Sequence, residues 1–395
     1  MDFQEKLNKY AEVLVKIGLD LRKGQPVCIE SPVEESVLAA EIARQAYLAG
    51  ASEVEVLWKC DSLQAIQLAH QDLSVTQAHT ALAEHCAAKG AGFIRLDTVD
   101  LTTFSGLSPE KVNQKAAADV AARSIFREKA GECGQTIACV PTQSWADLVY
   151  PDLPQEQRLS ALWDAVFACC RCDCADPVAA WKKYIADTTL RKQKLDSKQY
   201  KAFHYRSAKT DLTIAPVDHQ MWMGGCMEMP DGRVFVPNIP TEEVFTTPNK
   251  YSANGYVSST KPLNYRGQII DGFKLYLEYG KIVRYEAGQG GALLGSILDI
   301  DEGGRYFGEM ALIDQASPIA SLNRVFYTTL YDENASCHLA IGNAYGPNDA
   351  ALREKLGFND CQLHVDFMIG SDDMCIQGQL ADGTWELIMS DGHWV

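Results

Sequence analysis

At 395 residues, with 47% apolar side chains, the chain is longer than one hydrophobic core usually serves, and two domains are expected. Its 36 basic and 52 acidic residues give a formal charge of −16, which argues against nucleic-acid or anionic-membrane partners, because phosphate binding needs concentrated Lys and Arg. The opening MDFQEKLNKYAEVLVKIGLDLRKG lacks the charged-then-apolar layout of a signal peptide, and no run approaches the roughly 18 to 20 apolar residues that span a bilayer, so a cytoplasmic protein is expected.

Thirteen cysteines without an export signal are expected to stay reduced. Cys169, Cys170, Cys172 and Cys174 cluster in FACCRCDCAD, but they follow a stretch with helical spacing, where adjacent cysteines point apart. No second CxxC pair follows, and these are read as structural thiols.

Phe3, Leu7, Tyr10, Leu14, Ile17 and Leu21 recur at helical spacing and stop at Gly24. PVCIE, then SPVEESVLAAEIARQAYLAGA closed by Gly50, then SEVEVLW, reads as strand, helix and strand, the unit of a parallel sheet. The alternation continues with a helical run from Leu63 to Lys89, a strand at GFIRLDT, a helix from Pro109 to Lys129 and a strand at QTIACVP. The first strand-to-helix turn, IESPVEES, has no glycine fingerprint, which argues against a dinucleotide site there. His70, His79 and His85 lack a second ligand at i+4 and are read as solvated or packed.

Residues 141 to 187 read as helical with proline-marked breaks, and the polar, basic stretch 188–209 reads as a hinge between domains. Short β-rich segments then dominate, with helices only at ALLGSILDI and ALREKLG and a hairpin turning at Tyr279-Gly280. AGQGGALLG imitates a phosphate loop, but its spacing is wrong and no lysine follows. The expected fold is an α/β N-terminal domain over 1–195, a parallel sheet with flanking helices. A mainly β, α+β C-terminal domain follows over 196–395.

This second half keeps ionisable groups inside apolar strands. Glu309 interrupts FGEMALI, His338 interrupts CHLAIG, and LHVDFMIGS carries His364 and Asp366 two residues apart. In a strand those two share a face while Val365, Phe367 and Ile369 point into a core, and Ala340 and Gly342 leave room beside His338. Such groups are costly unless paired or coordinated, which suggests convergence on a shared cation; taken singly, each also suits a half-wet sheet.

The stretches NIPTEEVFTTP, VSSTKPL, DEGGRYFGEMALI, TLYDENASCHLAIGNAY and HVDFMIGS, in one order over the second half, resemble the M29 family of metalloaminopeptidases. GQPVCIESPVE and PTQSWADLVYPDL extend the likeness into the first half. The resemblance implies a homodimer acting on short peptides, with two divalent ions in the C-terminal domain. It places the ligand set on Glu243 (with Glu242 the adjacent wrong-face candidate), Glu309, His338, Tyr345, His364 and Asp366. Three carboxylates and two imidazoles suit Zn, Co or Mn, and two such ions would leave a residual positive charge to polarise a carbonyl. Tyr345 would ligate a cation or hydrogen-bond the oxyanion, and Glu309 is preferred over Glu243 as the proton shuttle. CCRCDC and the tail DGHWV, with His393, depart from the family pattern away from these positions. The competing readings are a nucleotide-dependent oxidoreductase or transferase built on the α/β half, and a noncatalytic metal-sensing or scaffolding protein using CCRCDC.

Overall fold

The computed structural model describes residues 1–70, 77–99, 103, 111, 124, 126, 128, 131–219, 221–265 and 268–395. The helix expected from Pro109 to Lys129 lies largely outside them, as does the side chain of His79.

By packing, these residues form two compact units, one of Met1–Ile185 with Cys226–Pro240 and one of Ala186–Gly225 with Thr241–Val395. The first unit holds a five-stranded parallel sheet. Its strands run in the order Val54–Lys59, Val27–Pro32, Gly92–Asp97, Gln135–Cys139 and Asn238–Ile239. The last strand comes from the 226–240 excursion and is too short to carry a periodicity. Helices Ser36–Ala49, Asp61–His70 and Gln77–Ala88 connect and flank the sheet. Gly50, at φ 99°, ends the first of these in the left-handed conformation that only glycine adopts without strain. The opening helix Phe3–Val13 passes into a π-helical turn, Leu14–Gly18, instead of running on regularly to residue 21. The wider turn accompanies burial of three consecutive side chains, Val13, Leu14 and Val15, which a regular amphipathic helix would not allow.

The basic stretch 188–209 carries regular structure and begins just past the boundary between the units at Ile185 and Ala186. Helix Pro177–Lys198 runs through its first half, and strand Ala202–Arg206 follows. Trp181, Tyr184, Thr188 and Leu195 form a buried helical stripe that the lysines and arginines between them dilute in composition.

The second unit is antiparallel. One sheet has eight strands, from Lys281–Glu286 at one edge to His393–Trp394 at the other. A second has four, in the order Val244–Thr246, Phe307–Leu312, His338–Gly342 and His364–Met368. The hairpin of Lys274–Glu278 and Lys281–Glu286 turns on Tyr279 and Gly280, at φ 50° and 82°, the two positive values a tight two-residue turn demands. Val244, Met310, Leu312, Leu339, Ile341, Val365 and Phe367 share one core with Phe203, Tyr205, Leu212, Val257 and Leu275 of the larger sheet. Each such fully buried side chain contributes about 1.5–3 kcal/mol, so this packing fixes which face of the four-stranded sheet is left for other work.

Candidate metal centre

Alternation along the four strands sends the residues between those core positions to the opposite face. Cross-strand register aligns Phe245 with Ala311, and Ala311 with His338. It sets Glu309 against Ala340, Ala340 against Asp366, and Gly342 against His364. One face therefore carries Glu243, Glu309, His338, His364 and Asp366, separated by the small residues Ala311, Ala340 and Gly342. A register irregularity between Phe307 and Glu309 re-aims the strand just before its carboxylate. Gly342 has φ 102°, and a Cβ there would run into the Leu363 carbonyl, so glycine is required beside His364.

Two donor groups result. The ligand atoms of Glu243, Glu309 and His338 lie within 4.8 Å of one another, as do those of Glu309, His364 and Asp366, and Glu309 belongs to both. His338 Nε2 is 3.3 Å from Glu309 Oε1 and 3.4 Å from Glu243 Oε2, and His364 Nε2 is 3.6 Å from Glu309 Oε2 and 3.1 Å from Asp366 Oδ1. Glu243, Glu309 and His338 are buried, while His364 and Asp366 are half-buried.

The chemistry of this set fits divalent cations. His364 Nδ1 lies 2.7 Å from the Asn343 carbonyl, which can only accept, so Nδ1 carries the hydrogen and Nε2 turns its lone pair toward two carboxylates. A lone pair facing carboxylates is repulsive unless a proton or a metal stands between them. Protons take that place in the metal-free protein. Burial opposes charge on both imidazoles, yet the Glu309 hydrogen bond and the charges of Asp366 and Glu243 push His338 up to about 9, and Asp366 with Glu309 pushes His364 up to about 9. Burial and the neighbouring Glu309 raise the Glu243 carboxyl to about 8, and burial raises that of Glu309. Despite burial, Asp366 is held below its ordinary value by His364, whose Nε2 lies 3.1 Å from its Oδ1. Cations would displace these protons and satisfy the same oxygens.

Tyr345 is brought beside the cluster. Its ring centroid lies 5.1 Å from that of His364 and 5.9 Å from that of Phe245, and its main-chain carbonyl accepts from Thr247 Oγ1 at 2.8 Å. Although Tyr345 is 54% exposed, partial burial of its ring and the surrounding carboxylates raise its phenol above the ordinary range, so it remains an O–H donor at neutral pH. Glu242 belongs to neither donor group; its amide donates to Asn334 Oδ1 at 2.8 Å. His393 pairs instead with Asp314 at 2.8 Å, and His70 and His85 are exposed. No cysteine enters either donor group, and none of the thirteen forms a disulfide.

Sequence reasoning missed Glu333 and Asn334. Both lie in the single 3-10 turn Glu333–Ala335, too short for a periodic signal, although the ENASCHLA motif contains them. Burial and the charges of Asp366, Glu243 and Glu309 push the Glu333 carboxyl well up, so a fourth acid lies within electrostatic reach of the three on the sheet. Asn334 is fully buried and also donates Nδ2 to the Leu330 carbonyl at 3.0 Å, so it ties the chain before Glu243 to the turn before His338.

A face of carboxylates and imidazoles on an antiparallel sheet could hold the metal of a metal-dependent hydrolytic protein. The chain belongs to the thermophilic metalloprotease (M29) family, whose model matches residues 3–394. It is similar to Aminopeptidase 2 of Geobacillus stearothermophilus, at 38% identity over 99% of this chain and 98% of that protein. Aminopeptidase T of Thermus aquaticus is 35% identical over 100% and 99%. Among solved structures, wild-type AmpT from Thermus thermophilus superposes with a TM-score of 0.91 at 33% identity, each chain covered in full. The family match gives the nucleotide-dependent alternative no support.

Proposed function

We infer that this protein is a metalloaminopeptidase that removes N-terminal residues from short peptides using two divalent cations, Zn, Co or Mn. The observation that carries the reading is the pair of donor groups joined by Glu309 on one sheet face. Glu243 and His338 would hold one cation and His364 and Asp366 the other, with Glu309 shared between them. Such ions supply Lewis acidity for the scissile carbonyl, attraction for the free amine and a more acidic water.

The residues divide the remaining work. Glu309 was the sequence's choice for proton transfer, but both its oxygens face imidazoles, which suits it to bridging. Glu333 lies outside both donor groups and within electrostatic reach of the same carboxylates, so the proton transfer from attacking water to leaving amine is assigned to it. Tyr345 keeps its hydrogen and donates it to the oxyanion of the tetrahedral intermediate. Asn343 orients His364 through its carbonyl. In this reading the second unit, Ala186–Gly225 with Thr241–Val395, is the catalytic domain in place of the expected 196–395, and the working form is a cytoplasmic homodimer, a state that sedimentation velocity would check. No described helix is long and apolar enough to cross a membrane.

Chelation tests the reading. The stripped chain is expected to lose hydrolysis of aminoacyl anilides and to regain it on addition of Zn, Co or Mn, with two ions bound per chain. Full turnover by protein carrying no metal would refute it.

A further inference from the structure

The carboxylate-bearing face continues past Glu243 onto a segment that the sequence left unremarked. Residues Met221–Gly224 run antiparallel to strand Val244–Thr246, with Met223 and Phe245 exchanging both backbone hydrogen bonds at 2.8 and 3.0 Å. Thr246 Oγ1 adds a bond to the Met221 carbonyl at 2.9 Å. Gly224, at φ 114°, allows this approach, since a Cβ there would collide with the Glu243 carbonyl. Trp222 turns into the core against Phe203, so Met221 and Met223 turn outward and remain 73% and 37% exposed.

Directly opposed residues of an antiparallel pair share a face. Met223 and Phe245 therefore stand side by side on the face that holds Glu243 two residues earlier. From Phe245 a ring contact leads to Tyr345 at 5.9 Å, and from Tyr345 another leads to His364 at 5.1 Å. The result is a wall of phenyl, phenol and thioether that begins at the donor set and ends in solvent.

We propose that Met223 and Phe245 line the subsite for the first side chain of the peptide and select aliphatic and aromatic residues there. The proposal rests on the aminopeptidase reading. A peptide with its amine and scissile carbonyl at the centre branches its first side chain from the one carbon between them, so that side chain must be housed within a few ångströms. Phe245 supplies a flat apolar surface two residues along the same face from Glu243, and the unbranched Met223 adapts to side chains of different shape.

The test compares metal-loaded wild type, Met223→Ala, Met223→Glu and Phe245→Leu on leucyl, alanyl and lysyl anilides. Lost hydrophobic contact in a specificity pocket is worth about 10- to 200-fold, so Met223→Ala and Phe245→Leu are expected to lower the leucyl-to-alanyl ratio of kcat/KM by about 10-fold or more. Met223→Glu is expected to raise the lysyl-to-leucyl ratio by about 10-fold. Met223 is exposed, so its variants are expected to fold, which near-ultraviolet circular dichroism checks. Active variants with both ratios unchanged would overturn the subsite. So would unchanged ratios with lost self-association in Met223→Glu, which would give this face to a second copy of the chain. Wild type that turns over no anilide would remove the peptidase reading, and the subsite with it.

Discussion

Glu309 is the residue on which the two donor groups meet, and Glu333 is the acid that stands outside both. Their glutamine variants are expected to fail differently. Glu309→Gln removes a charge from each group, so metal content is expected to fall below two per chain and turnover to drop beyond the about 10–100-fold typical of residues that only support a ligand. Glu333→Gln is expected to keep both cations while losing about 10²–10⁴-fold in kcat, the range for a general base. Metal analysis of both purified proteins distinguishes them, and equal metal loss in the two would contradict the division of roles. Asp332 offers a second test at this scale. Burial pushes its carboxyl up to about 7, against the Phe326 amide that donates to it at 2.7 Å. A carboxyl raised in the folded state adds stability below its unfolded pKa, near 4, and loses that contribution as pH rises through the folded value. The urea midpoint of the wild type relative to Asp332→Asn is therefore expected to fall between pH 4 and 7 and to level off above. A difference that stays flat over that window would show that Asp332 does not titrate there.

The strands that carry the site are where the sequence was most legible. Alternation in HVDFM gave the shared face of His364 and Asp366, and Val365 and Phe367 pack on the other side as that alternation requires. Small residues at Ala340 and Gly342 marked the open floor beside His338. Period-two reading could not reach Glu333 and Asn334, because a one-turn element has no period, nor Met223, whose role depends on a cross-strand partner 22 positions away. Composition also hid a helix, since the basic residues of 188–198 diluted a buried stripe that includes Thr188 and Leu195. Asn334 shows what such an unread element does, since its side chain holds the Glu242 amide and the Leu330 carbonyl together. Asn334→Ala would leave that buried amide unpaired, at a cost of about 1–3 kcal/mol in unfolding free energy. Chemical denaturation checks this, and a variant as stable as wild type would show that the tie is dispensable.

At the scale of the whole chain, a parallel sheet and an antiparallel pair of sheets arise from different patterns. A run buried throughout, Val27–Pro32, lies inside the first, and alternation as in Ala202–Arg206 and Lys274–Glu278 marks the larger sheet of the second. The excursion 226–240, which returns to the first unit to add a fifth parallel strand, was not foreseeable from a two-residue strand. A net charge of −16 favours cations over anions around the molecule, in keeping with metal ions and free amines as ligands. The central claim is that five side chains spread from Glu243 to Asp366 hold two divalent ions. Anomalous scattering from crystals of the metal-loaded protein, recorded at the Zn and Mn absorption edges, tests it most directly. Two peaks, one on either side of the Glu309 carboxylate, are the expected result; no peak within ligand distance of that carboxylate, or metal bound only at the cysteines near Cys170, would contradict it.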